Sequence, residues 1–200
     1  MTLLSPKRAD SGSGNQTSAF EDLALPLLPS LYNVAHWLSR NAADTEDLVQ
    51  ETILKALRGF PTFEERTNFR AWIFRILKNT YLNSRNALAA KLTTSIEDEL
   101  GEDVESGPAL YPEGAIDRQT PEMNLIQMGD RAALQKAMEQ LPLPLLEVLL
   151  LCDVEEMKYK EIAMVLGIPI GTVMSRIARA RATIRRELMA QQATAKESRA

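Results

Sequence analysis

Apolar residues recur at three- and four-residue spacing along most of this chain, and no stretch is rich in β-forming residues, so the pattern predicts helices throughout. Leu31, Val34, Ala35 and Leu38 make one stripe. Leu48, Thr52, Ile53, Ala56, Leu57 and Phe60 make a second, which Pro61 ends. Between them, Asp44 is placed to cap the second helix, and Asp47 complements the positive end of its dipole. A third helix is predicted from about 68 to 86, with Phe69, Trp72, Ile73, Ile76, Leu77 and Thr80 inward. Its outer face carries Arg75, Lys78 and Leu82, flanked by Asn79 on one side and by Phe74 and Tyr81 on the other. The period then lapses. It returns at Glu122 through Ala132, Leu134, Ala137, Met138 and Leu141, breaks at Pro142 and Pro144, and resumes over 145–154.

The last stretch is the most specific. Ile162, Ala163 and Leu166 form a short run that stops at Gly167, a residue suited to closing a helix in the left-handed region, and Pro169 forbids its continuation. A new run follows, with Val173, Ile177, Ala180, Ile184 and Leu188 on one stripe and Thr172, Ser175, Arg179, Ala182 and Arg186 on the opposite one. Two helices joined by a turn of about three residues are the pattern of a DNA-binding helix-turn-helix. A helix that enters a groove needs small residues, such as Ala178 and Ala182, beside arginines that reach phosphates or guanine edges.

The gap in the period separates two bodies. From Ile96 through Glu122 there are nine acidic residues against Arg118 alone, with Gly101, Gly107, Pro108, Pro112, Gly114 and Pro121 preventing any long element. The expected architecture is all-α: helical domains over 20–92 and 122–190, joined by a flexible acidic linker over 93–121. The Ser/Gly-rich N-terminus, 1–19, and the polar tail, 191–200, are expected to be disordered.

Composition narrows the function. With 45% hydrophobic and 25% charged residues the chain has the balance of an ordinary soluble protein. Its apolar stretches fall far short of the roughly 20 residues a bilayer span needs, and the polar N-terminus has no signal core, which predicts a cytoplasmic protein without membrane contact of its own. Cys152 is the only cysteine and is expected to be a small buried hydrophobe. His36 is the only histidine, so the acids Asp44, Glu46, Asp47 and Glu51 lack the Glu-x-x-His pairs of a di-iron bundle. With no cofactor or metal site, and no nucleophile paired with a base, the pattern predicts a protein that is not an enzyme.

Charge points to nucleic acid. The chain carries −4 in total, yet residues 158–189 hold seven Lys or Arg against two Glu, a local +5. Residues 70–91 hold five basic residues and no acid, a run that would attract the backbone of a displaced strand. Nine of the eleven aromatics lie between Phe20 and Tyr81, most of them on apolar stripes and so expected in the core.

Three motifs together resemble the extracytoplasmic-function subfamily of RNA polymerase sigma factors. Asp-Thr-Glu-Asp-Leu-Val-Gln-Glu-Thr (44–52) resembles the family's region 2.2, Asn-Phe-Arg-Ala-Trp-Ile-Phe-Arg-Ile-Leu-Lys-Asn-Thr (68–80) its regions 2.3 and 2.4, and Ile-Pro-Ile-Gly-Thr-Val-Met-Ser-Arg-Ile-Ala-Arg-Ala-Arg (168–181) its region 4.2. Lys158 departs from the pattern, standing where the family usually has Ser or Thr. The resemblance implies that Asp47, Leu48, Gln50 and Glu51 meet the β′ clamp helices of core polymerase. It implies further that Asn79 helps form a pocket for a flipped −10 base, with Arg75 and Lys78 near phosphates. The second domain would bind −35 DNA through Thr172, Ser175, Arg176 and Arg179 while packing on the β flap. An anti-sigma factor is the expected regulator. A stand-alone helix-turn-helix regulator is the alternative, but it predicts an upstream α/β receiver, whose strand pattern is missing here.

Overall fold

The computed structural model describes residues 12–64, 67–94 and 131–197, and these are largely helical with no strand among them. The chain divides into two compact units on either side of Gly107 and Pro108. The predicted linker, 93–121, and the return of helical period at 122 fall almost wholly outside the described residues.

In the first unit α1 runs Gly12–Ala24, a 3₁₀ turn Leu25–Leu27 leads into α2, Leu28–Ser39, and α3 spans Ala42–Gly59. A second 3₁₀ turn, Phe60–Thr62, holds Pro61 at its start, and α4 spans Phe69–Thr94. Helix thus begins eight residues ahead of the expected Phe20, although Phe20 is the first buried side chain described. The α2–α3 corner is a polar knot. Arg40 closes α2 in the left-handed region (φ 59°), leaving Asn41 extended (φ −142°) with its Oδ1 accepting from Ala43 N–H at 2.9 Å. Asn41 therefore caps α3, three residues before the expected Asp44, which sits in the first turn instead. The fully buried Thr45 hydroxyl donates to the Asn41 carbonyl at 2.6 Å and lies 2.8 Å from Ser39 Oγ, with His36 Nδ1 3.4 Å away.

α4 is capped by Asn68, whose Oδ1 accepts from Ala71 N–H at 3.1 Å, and it packs against both α2 and α3. Contact on two sides widens its apolar arc beyond one stripe. Phe74 and Tyr81, expected on an outer flank, are 1% and 8% exposed, whereas Trp72 and Ile76, expected inward, are half-buried.

In the second unit a helix over 131–139, here α5, precedes α6, Leu143–Leu149, whose first turn accommodates Pro144 because N–H groups there lack helical partners anyway. The run from Leu146 to Leu151, apolar except for Glu147, is buried all round, and the chain widens into a π turn at Leu150–Val154 to place it. Cys152 is half-buried at the edge of that turn, not in the core as expected, because the wider winding rotates it toward solvent. α7, Tyr159–Leu166, and α8, Ile170–Glu197, complete the unit, with α8 running seven residues past the expected end of the domain.

Candidate nucleic-acid interface

The turn between α7 and α8 is built by backbone rules. Gly167 adopts φ 67° and ψ 37°, and both its N–H and that of Ile168 reach back to the Ala163 carbonyl, at 2.9 and 3.2 Å. The Pro169 carbonyl then accepts from the N–H groups of Thr172 and Val173 and opens α8. The helix axes turn through 102°, within the range of helix-turn-helix pairs. At the head of α7, Lys158 provides no side-chain acceptor. Glu161 compensates, its Oε2 accepting from the Lys158 N–H at 2.8 Å, so half of a capping box survives.

Val173, Ile177 and Ala180 are 0–2% exposed and fasten α8 to α6 and α7. The opposite arc is open. Gly171, Met174, Ser175, Ala178, Arg179, Ala182, Arg185 and Arg186 are exposed along it. Ser175 and Arg179 thus stand on the free face, whereas Thr172 and Arg176 are half-buried at its flank. Ser175 Oγ donates to the Thr172 carbonyl (3.1 Å) and Arg179 Nε to the Ser175 carbonyl (3.4 Å), so both polar side chains lie along the helix surface.

Arg181 does something else. Its Nε and Nη2 grip the two carboxylate oxygens of Asp153 at 3.1 and 2.5 Å, and Nη2 lies 3.8 Å from Cys152 Sγ. The Arg181 hydrogen bond holds the Asp153 carboxyl below its ordinary value, and the same pairing raises the guanidinium further. Partial burial, and the neighbouring Asp153 after it, push the Cys152 thiol up, so the thiolate is disfavoured. Spacing alone could not show this pair, whose members lie 28 residues apart. Beside it is a groove of about 590 Å³ lined mainly by Leu134, Met138, Leu149, Val154, Ile184, Leu188 and Met189.

In the first unit, Arg75 and Asn79 are both exposed on α4 one helical turn apart, with Lys78 half-buried beside them. Phe20, Phe60, Phe63, Phe69 and Trp72 form one edge-to-face and stacked cluster with centroid separations of 5.1–6.1 Å, which keeps most of them in packing contact with one another. On α3, Asp44, Asp47 and Glu51 line a groove of about 490 Å³ together with Tyr81, Arg85 and Leu88 of α4. Glu51 pairs with Lys55 at 2.7 Å, and Lys55 Nζ also reaches Thr80 Oγ1 at 3.3 Å. Gln50 is exposed on the same helix. Leu48, expected as an apolar surface anchor, is only 6% exposed. It faces the core, because the pitch that turns Asp47 and Glu51 outward turns Leu48 in.

Among known proteins, the family model for sigma-70 region 2 matches residues 23–90 and that for sigma-70 region 4 matches residues 131–184. The sigma factor EcfG of Rhodopseudomonas palustris is 33% identical over 171 residues, 84% of this chain and 84% of that protein. SigE of Mycolicibacterium smegmatis is 31% identical over 175 residues, 86% of this chain but 63% of that longer protein. Both are named as extracytoplasmic-function RNA polymerase sigma factors. Among solved structures, the sigma factor RpoE of Bartonella quintana, crystallised with the anti-sigma factor NepR, aligns with a TM-score of 0.68 at 29% identity. The alignment covers 86% of this chain and 98% of that one.

Proposed function

This chain belongs to the extracytoplasmic-function family of RNA polymerase sigma factors, and from that premise we propose that it binds core polymerase in the cytoplasm and directs initiation at promoters with −10 and −35 elements. The observation that carries the reading is the α7–α8 pair: a 102° turn that leaves small residues and arginines on the free face of α8. α8 meets −35 DNA through Ser175 and Arg179, with Thr172 and Arg176 at the edge of the contact. Arg75, Lys78 and Asn79 of α4 receive the −10 strand, the cations attracting its backbone and the amide meeting an exposed base edge. Asp47 and Glu51 of the α3 groove, with Gln50 exposed on the same helix, face the β′ clamp helices, and Leu48 supports them from beneath. The apolar groove of the second unit suits an apolar element of the β flap. By likeness to the Bartonella quintana complex, an anti-sigma factor is the expected regulator.

Run-off transcription with purified core polymerase on a genomic promoter library tests the reading. Specific start sites that depend on the added chain are expected. Tight, specific duplex binding without any stimulation of core would instead support a stand-alone regulator.

A further inference from the structure

We infer that Met174 reads a thymine methyl group in the DNA that α8 faces, an inference that rests on the function proposed above. The first turns of α8 present an unusual strip. Met174 is 54% exposed; Gly171 and Ala178, beside it toward the free face, are small, and Ile170, one turn before it toward the other edge, is a second apolar side chain at 42% exposure. A side chain placed at Gly171 would meet nothing within 4 Å, so the floor beside Met174 is open. A long, flexible, apolar side chain therefore stands above small neighbours on the free face, while Ser175 and Arg179 are hydrogen-bonded along the helix. Arg181, the next long side chain on that side of the helix, is held by Asp153.

A strip with this chemistry offers no hydrogen bond to a base edge. The major-groove group that asks for none is the C5 methyl of thymine, which is read by apolar contact. An exposed methionine adapts its three rotatable bonds to such a contact and leaves water when it forms. Arginines elsewhere on α8 would fix the helix on the phosphates, and Met174 would favour thymine at one place in the element.

The test uses holoenzyme assembled from core polymerase and the full chain. Selection is run from two duplex libraries randomised across the upstream promoter element, one made with thymine and one with uracil in its place. Uracil pairs alike but lacks the methyl. The expected result is a position where thymine is enriched, with binding weakened about three- to fivefold by uracil there, as for the loss of one buried methyl. Met174→Ala should erase that difference while leaving preferences elsewhere in the element. Met174→Gln should move the preference at the same position toward adenine, whose N6 and N7 suit an amide. Enriched sequences with equal binding of both libraries, or a thymine-over-uracil difference that persists in Met174→Ala, overturn the inference and leave the sigma function standing. Failure to enrich any sequence overturns both.

Discussion

Removing either half of the Arg181–Asp153 pair should loosen α8 from the turn that follows α6, by a small and salt-sensitive amount. The geometry is favourable, with two parallel N–H···O contacts at 3.1 and 2.5 Å. Exposure works against it: the arginine side chain is 52% and the aspartate 35% accessible, so water and salt screen the attraction. The coupling should lie near the upper end of surface pairs, about 0.5–1 kcal/mol. A double-mutant cycle with Arg181→Met and Asp153→Asn isolates it. Both tryptophans, Trp37 and Trp72, lie in the first unit, so their fluorescence does not report on this pair. Hydrogen exchange of the α6 and α8 amides by mass spectrometry does. The sign of the pH dependence follows from Asp153. Its carboxyl is depressed in the folded chain, so the contribution is complete above the unfolded value of about 3.9 and is lost as pH falls through the lower folded value. A coupling that is unchanged in 1 M salt, where the screening length is about 3 Å, would refute the electrostatic account.

Three further outcomes follow from local geometry. Gly167→Ala should cost about 1–2 kcal/mol in the second unit through backbone strain alone, since φ is 67° and no atom crowds the new methyl; exchange of the α7 and α8 amides measures it. Asn41→Ala should cost about 1 kcal/mol in the first unit by removing the cap of α3, seen as a lower urea midpoint of tryptophan fluorescence. Cys152 should alkylate more slowly with iodoacetamide at neutral pH than a free thiol, and Asp153→Asn should change that rate by removing the adjacent carboxylate.

Features fixed by backbone chemistry are legible in the amino-acid sequence. Gly167 and Pro169 specify the turn, and the stripes Leu31–Leu38 and Val173–Ala180 are buried as their spacing predicts. Features that depend on how many neighbours a helix has are not legible there. Phe74 and Tyr81 are core because α4 is covered from two sides, and one-dimensional spacing assigns a helix a single inner face. Capping is ambiguous for a different reason. Asn41 and Asp44 are both competent caps, and the choice is made by Arg40 turning left-handed at the end of α2. In the candidate sites, adjacency along the chain groups Leu48 with its acidic neighbours, although one residue of helix turns a side chain by about 100°. Met174 gives no signal in the sequence, because an apolar residue among arginines carries no charge; only its exposure marks it.

The Arg181 pair also changes how the charge of the recognition segment should be weighed. Counted over 158–189 the segment carries +5, but Asp153 lies just outside that window and is bonded to one of its arginines, which lowers the working value to +4. Counterion release depends on cations that reach phosphate, and each phosphate neutralised contributes about 0.9 to the salt slope of duplex binding. Arg181 should contribute none, because its bond to Asp153 holds the guanidinium against the turn after α6, off the free face of α8. Arg179, exposed on the free face, should contribute nearly a full unit if it meets the backbone. Measured on holoenzyme with a fixed promoter duplex, Arg181→Met is expected to leave the slope unchanged even if affinity falls, while Arg179→Ala lowers it. Equal slope losses for the two would mean that the Asp153 pair opens on DNA and that Arg181 reaches phosphate as Arg179 does.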